Sequence, residues 1–150
     1  MNDAIERIEA GGKLLAIIIY RNFKKAGIHF FTPDDLSQQL AYMSHPAGKV
    51  IAAHVHNPIP REVTYTQEVL LIKQGELRVD FYDTDRSYLH SRILKAGDVI
   101  LLVAGGHGFE VLEDVEMIEI KQGPHVGEED KSRFEGIDRD RVSIKDRTND

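Results

Sequence analysis

From Leu14 to about Gln122 the chain is a succession of short apolar or alternating segments separated by turn residues, the pattern of an all-β sandwich or barrel. The clearest segment is Leu77-Arg78-Val79-Asp80-Phe81-Tyr82. On a strand, Leu77, Val79 and Phe81 share one face and Arg78, Asp80 and Tyr82 the other, so one face is expected to meet the core and the other water. A polar turn at Asp83-Thr84-Asp85-Arg86 ends it, and Tyr88 to Leu94 reads as the return strand. After Lys95-Ala96-Gly97-Asp98, the segment Val99 to Val103 is apolar on both faces and must be covered on both. Further strands are predicted at Leu14 to Arg21, His29 to Thr32, Gln38 to Ser44, Lys49 to His56, Thr66 to Lys73, His107 to Leu112 and Glu116 to Gln122. Within residues 1–12, Ile5 and Ile8 stand at helical spacing before Gly11-Gly12, which leaves a short helical turn and a frayed terminus as equal readings.

Beyond Gly123-Pro124 the composition shifts to mixed charges, with Phe134, Ile137, Val142 and Ile144 as isolated apolar anchors. The expected organisation is one barrel domain over residues 1–123 and a surface-draped or mobile tail over 124–150. A length of 150 residues allows one core and is too short for two. The run Leu14 to Tyr20 falls far below the ~18 apolar residues needed to cross a bilayer, and the N-terminus lacks a signal-peptide pattern, so no membrane partner and a cytoplasmic location are expected. With no cysteine, disulfides and thiolate sites are excluded and any metal must be held by nitrogen and oxygen. A net charge of −6, with no basic cluster longer than Lys24-Lys25, offers no attractive field for a phosphate backbone and argues against nucleic acid.

Of seven histidines, His29, His45, His90 and His125 stand alone and read as surface or structural residues. His54-Val55-His56 differs, because residues i and i+2 of a strand point to one face roughly 7 Å apart and two imidazoles there can converge on one ion. Val50 and Ala52 share that face, so the pair is expected to look into a buried interior, where a metal would offset the loss of water. Glu68 opens the apolar strand Val69-Leu70-Leu71-Ile72 and shares its face with Leu70 and Ile72, while His107 follows Ala104-Gly105-Gly106 and shares its face with Phe109 and Val111. Both are expected to point at the core.

These residues resemble the two sequence motifs of the cupin superfamily. Gly48, five residues and then His54-Val55-His56 match the first half of its first motif, and Glu68, six residues and then Gly75 match the second half. Between them stand 11 residues, Asn57 to Gln67, where the family has three or four. Gly97, five residues and Val103-Ala104-Gly105 follow the second motif more loosely, with His107 as its histidine and Val111 where the family has asparagine. The resemblance covers about residues 38–122 and implies a cupin double-stranded β-helix, a jelly-roll barrel holding one divalent transition metal on His54, His56, Glu68 and His107. Three imidazoles and a carboxylate suit Fe, Mn, Ni, Co or Zn. Glu62 competes with Glu68 for the carboxylate position, and the spacing to Gly75 favours Glu68.

The long connection begins directly after the second histidine, at the mouth of the expected barrel. Arg61 and Gln67 there, with Phe109 on the wall, are candidates for binding a small-molecule ligand, and Glu62 and Tyr65 for moving protons. The leading functional expectation is a metal-dependent isomerase, epimerase or dioxygenase acting on a sugar, a sugar nucleotide or another small polar molecule. The competing one is a binding or sensing protein without turnover. A homodimer is expected, because the Val69-Leu71 face, Val99 to Val103 and Leu14 to Tyr20 present more two-sided apolar surface than one small barrel covers.

Overall fold

The computed structural model describes residues 4–145. Its strands are β1 (Ile5–Ala10), β2 (Lys13–Ile19), β3 (Gly27–Phe30), β4 (Ala41–Ser44), β5 (Glu68–Tyr82), β6 (Tyr88–Lys95), β7 (Val99–Leu102) and β8 (Gly106–Lys121). Two short 3-10 turns follow, Gly127–Asp130 and Arg139–Arg141, and no α-helix occurs among the described residues. No helix there is long and apolar enough to cross a membrane. The all-β expectation therefore holds, as an antiparallel sheet ordered β1-β2-β7-β5-β6 with β8 running along β5, and a separate hairpin of β3 and β4.

The sheet is strongly curled, and the curl comes from a corner in β5 and β8. The sequence predicts separate strands on either side of Gln74-Gly75-Glu76; they form one 15-residue strand whose register slips repeatedly between Ile72 and Leu77. Gly75 sits at φ +79, and a Cβ there would lie 2.1 Å from the Asp114 carbonyl oxygen on β8. Only a residue without a side chain lets the two backbones approach so closely while turning. Folding the ribbon over itself faces Leu70, Ile72, Ile100, Leu102, Ala16 and Ile18 against Leu77, Val79, Phe81 and Leu94, and these make the main core. On the opposite face of the sheet, the hairpin side brings Phe31, Leu40 and Tyr42 onto Ile19, Phe23 and Val99. The two-sided apolar strands β2 and β7 are thus covered within the chain, with Ile17 and Leu101 fully buried. The uncovered apolar surface lies elsewhere, on β8 and on the segment between β4 and β5.

Three further expectations change. Residues 5–10 form neither a helical turn nor a frayed end: they pair with β2 across the Gly11-Gly12 turn, because β2 offers a free edge and Ile8 becomes buried against the core; residues 1–3 lie outside the described residues. Lys49 to His56 belongs to no strand, since none of the described residues pairs with it. Arg78, Asp80 and Tyr82 do not face water; all three are buried, and the tail returns over Tyr82. Phe134 packs edge-on against Tyr82 with ring centres 5.0 Å apart, the Ile137 amide donates to the Tyr82 hydroxyl at 2.8 Å, and the Ser91 amide on β6 donates to the Ser143 carbonyl at 2.8 Å. The buried charges beneath are satisfied by one another: Arg78 Nε donates to Asp80 at 2.8 Å, Arg78 pairs with Glu110, and the Ser91 hydroxyl donates to Asp80. Residues 146–150 of the tail lie outside the described residues.

Candidate functional site

Glu68 and His107 stand at opposite ends of the β5–β8 ladder: Glu68 pairs with Lys121, and His107 with Phe81. On a straight ribbon they would be roughly 40 Å apart at ~3.3 Å per residue. The corner at Gly75 brings them together, so that His107 Nε2 lies 3.4 Å from Glu68 Oε2. Glu68 is buried at 7% exposure, held inward by the same parity that buries Leu70 and Ile72. The hydrogen bond from His107 holds its carboxyl below the usual glutamate range, burial opposes this, and the positive charges of Lys121 and Lys131 assist. The group facing the cleft is therefore a carboxylate.

A cleft of about 1660 Å³ opens over this pair. Its walls include Arg61, Tyr65, Gln67, Gly105 and Lys131. Gln67 is buried and fixed, its side-chain oxygen accepting from the Gln38 amide at 3.0 Å and its carbonyl from the Gln122 amide at 2.9 Å. Tyr65 is largely exposed, Arg61 leans back on the Ile59 carbonyl, and Phe109 stacks obliquely on His107 at 5.2 Å. Glu68, His107, Gln67, Phe109, Arg61 and Tyr65 thus belong to one neighbourhood. His54, His56 and Glu62 do not: all three are exposed on the segment between β4 and β5. The two imidazoles do lie together, with ring centres 5.3 Å apart, and His54 Nδ1 bonds to the Ala52 carbonyl at 2.9 Å.

No three His, Cys, Asp or Glu side chains among the described residues converge on one point. Two of the four donors implied by the cupin resemblance nonetheless meet, one carboxylate oxygen and one imidazole nitrogen 3.4 Å apart at the cleft.

The sequence reading missed the contribution of the tail. Lys131 and Phe134 also line the cleft, and Thr66 donates to Asp130, tying the tail to the start of β5. Phe134, the lone aromatic in a charged stretch, was the available signal. Comparison with family models, with curated proteins and with solved structures finds no match to the chain.

Proposed function

We propose that the chain is a cupin-type protein that holds one divalent transition metal on Glu68, His107, His54 and His56 and acts on a small polar molecule, of the sugar or sugar-nucleotide class, in the cleft above. The observation that carries this reading is the buried Glu68 carboxylate 3.4 Å from the His107 imidazole, both lining an open cleft. A bound divalent ion supplies Lewis acidity at a substrate oxygen. The chain's own residues supply the rest: Glu68 keeps its negative charge at neutral pH, Arg61 and Lys131 offer cations to an anionic group, and Tyr65 offers a ring face and a hydroxyl.

Elemental mass spectrometry of protein purified without chelator tests the reading. About one metal per chain is expected, lost in His107→Ala and kept in His90→Ala, whose imidazole lies away from the cleft beside Arg92 and Phe81. Absence of any transition metal, together with no uptake of added Zn(II) or Fe(II), would refute it. Product formation from a panel of sugar nucleotides separates an isomerase or epimerase from a binding protein without turnover.

A further inference from the structure

Residues 45–61 form an arm that the other described residues leave exposed along its whole length. Val50 and Val55 are 81% and 85% exposed, and Ile51 and Ile59 are exposed beside them. The hydrogen bonds of this stretch all close within three positions: Lys49 to Pro46, His54 to Ala52 and Arg61 to Ile59. An exposed, apolar segment whose backbone pairs with no described strand has the character of a strand lacking its sheet.

The same chain carries a sheet edge lacking a strand. β8 is 16 residues long and pairs with β5 along one side; among the described residues no strand pairs with its other side. By contrast, the free edge of β6 is closed by the tail through Ser91, Ser143 and Ile144. On β8, Phe109 and Val111 are 40% and 55% exposed, although their ladder partners Val79 and Leu77 are fully buried. The core side of β8 is therefore open, and His107 stands at the head of that open row. Outward-facing Leu112, Ile118 and Ile120 are exposed as well.

The two surfaces match. In extended chain, Val50, Ala52, His54 and His56 share one face and Ile51, Ala53 and Val55 the other, so both faces gain from burial in a sheet. Residues 45–61 hold Lys49, Arg61 and three histidines and no acidic side chain, whereas β8 exposes Glu113, Asp114, Glu116 and Glu119. Among the described residues both surfaces are bare, so the arm is not closed on its own barrel. A second copy satisfies both at once, and two-fold symmetry makes the exchange reciprocal.

We infer that the arm adds as a strand to β8 of a second copy, and that its His54 and His56 complete, in trans, the site begun by Glu68 and His107. The trans site rests on the metal reading above; the docking of the arm does not.

Light scattering on the full chain and metal analysis after Zn(II) loading test the two parts separately. A dimer is expected, and Val55→Asp, on an arm outside the folded body, should give a monomer with an unchanged circular dichroism spectrum. A wild-type monomer, or a Val55→Asp dimer, would overturn the docking. For the site, His54→Ala/His56→Ala and Glu68→Gln/His107→Ala variants should each bind no Zn(II), whereas an equal mixture, unfolded and refolded together, should recover about a quarter of the wild-type content by statistical pairing. No recovery in the mixture, with wild type loaded and dimeric, would put all four donors on one chain. A dimer that Val55→Asp dissociates but that takes up no Zn(II) as wild type would refute the metal reading and leave the arm exchange standing.

Discussion

Replacing Gly75 by alanine attacks the corner on which the candidate site depends. Two costs arise. The first is conformational: φ +79 lies in the left-handed region, where a Cβ costs roughly 1–2 kcal/mol. The second is steric. The new methyl group would lie 2.1 Å from the Asp114 carbonyl oxygen, 2.7 Å from its carbon and 3.0 Å from the Glu113 oxygen. All three are backbone atoms on β8, so no side chain can swing aside, and the two strands must part by nearly an ångström at the tightest turn of the ribbon. Overpacking of this kind costs typically ~1–3 kcal/mol, giving a total of about 2–5 kcal/mol. Gly12→Ala supplies the control, because Gly12 has φ +75 with nothing within 4 Å of the added Cβ and so pays the conformational cost alone. Urea unfolding of both variants at one protein concentration, so that association is held constant, should show Gly75→Ala less stable than Gly12→Ala by about 2 kcal/mol. In thermal melts this corresponds to roughly 4–8 °C for a chain of this size. Equal losses in the two variants would refute the close approach at Gly75 and with it the account of how Glu68 reaches His107.

Three other outcomes are expected. Asp98 is buried, its two carboxylate oxygens accepting from the Arg21 amide at 2.8 Å and the Lys95 amide at 2.7 Å, so Asp98→Ala should cost about 3 kcal/mol in urea unfolding; a loss under 1 kcal/mol would contradict this. Tyr82→Phe removes the hydroxyl that accepts from the Ile137 amide and should free the tail for limited proteolysis near residues 134–145 while costing only ~1 kcal/mol globally. An unchanged cleavage pattern would show that Phe134 and the Ser91–Ser143 contact suffice. Glu68 has a folded pKa below its ordinary value of 4.5, so its ionised form adds stability above that pH, and the gain disappears as pH falls through the lower folded value. Glu68→Gln should therefore flatten the acid limb of the stability profile below about pH 4.5, measured by urea midpoints without metal; a limb as steep as wild type would remove the stabilising contact with His107.

Much of the architecture was legible in residue order because strand parity is a local property. Leu77, Val79 and Phe81 alternate with polar neighbours, and they form the core whatever lies across from them. The inward direction of Glu68 followed from the same parity, since Leu70 and Ile72 share its face. Gly75 was visible as a break between two strands. That it bends one continuous ribbon was not, because the bend depends on the Asp114 carbonyl 39 positions away.

The tertiary structure decided what covers what. Arg78, Asp80 and Tyr82 alternate as a solvated face would, yet they are buried: the charged tail lays Phe134 and Ile137 over Tyr82, and the Arg78–Asp80–Ser91 bonds satisfy the buried charge. Ile5 and Ile8 have helical spacing, yet they join a strand, because the free edge of β2 offers backbone partners that a six-residue helix lacks. His54-Val55-His56 has the parity of a strand, but parity names faces only once a neighbouring strand exists, and residues 49–56 pair with none among the described residues. Local alternation thus fixes which side chains travel together. Long-range pairing, which no short window of sequence contains, decides which of them are brought to face the cleft.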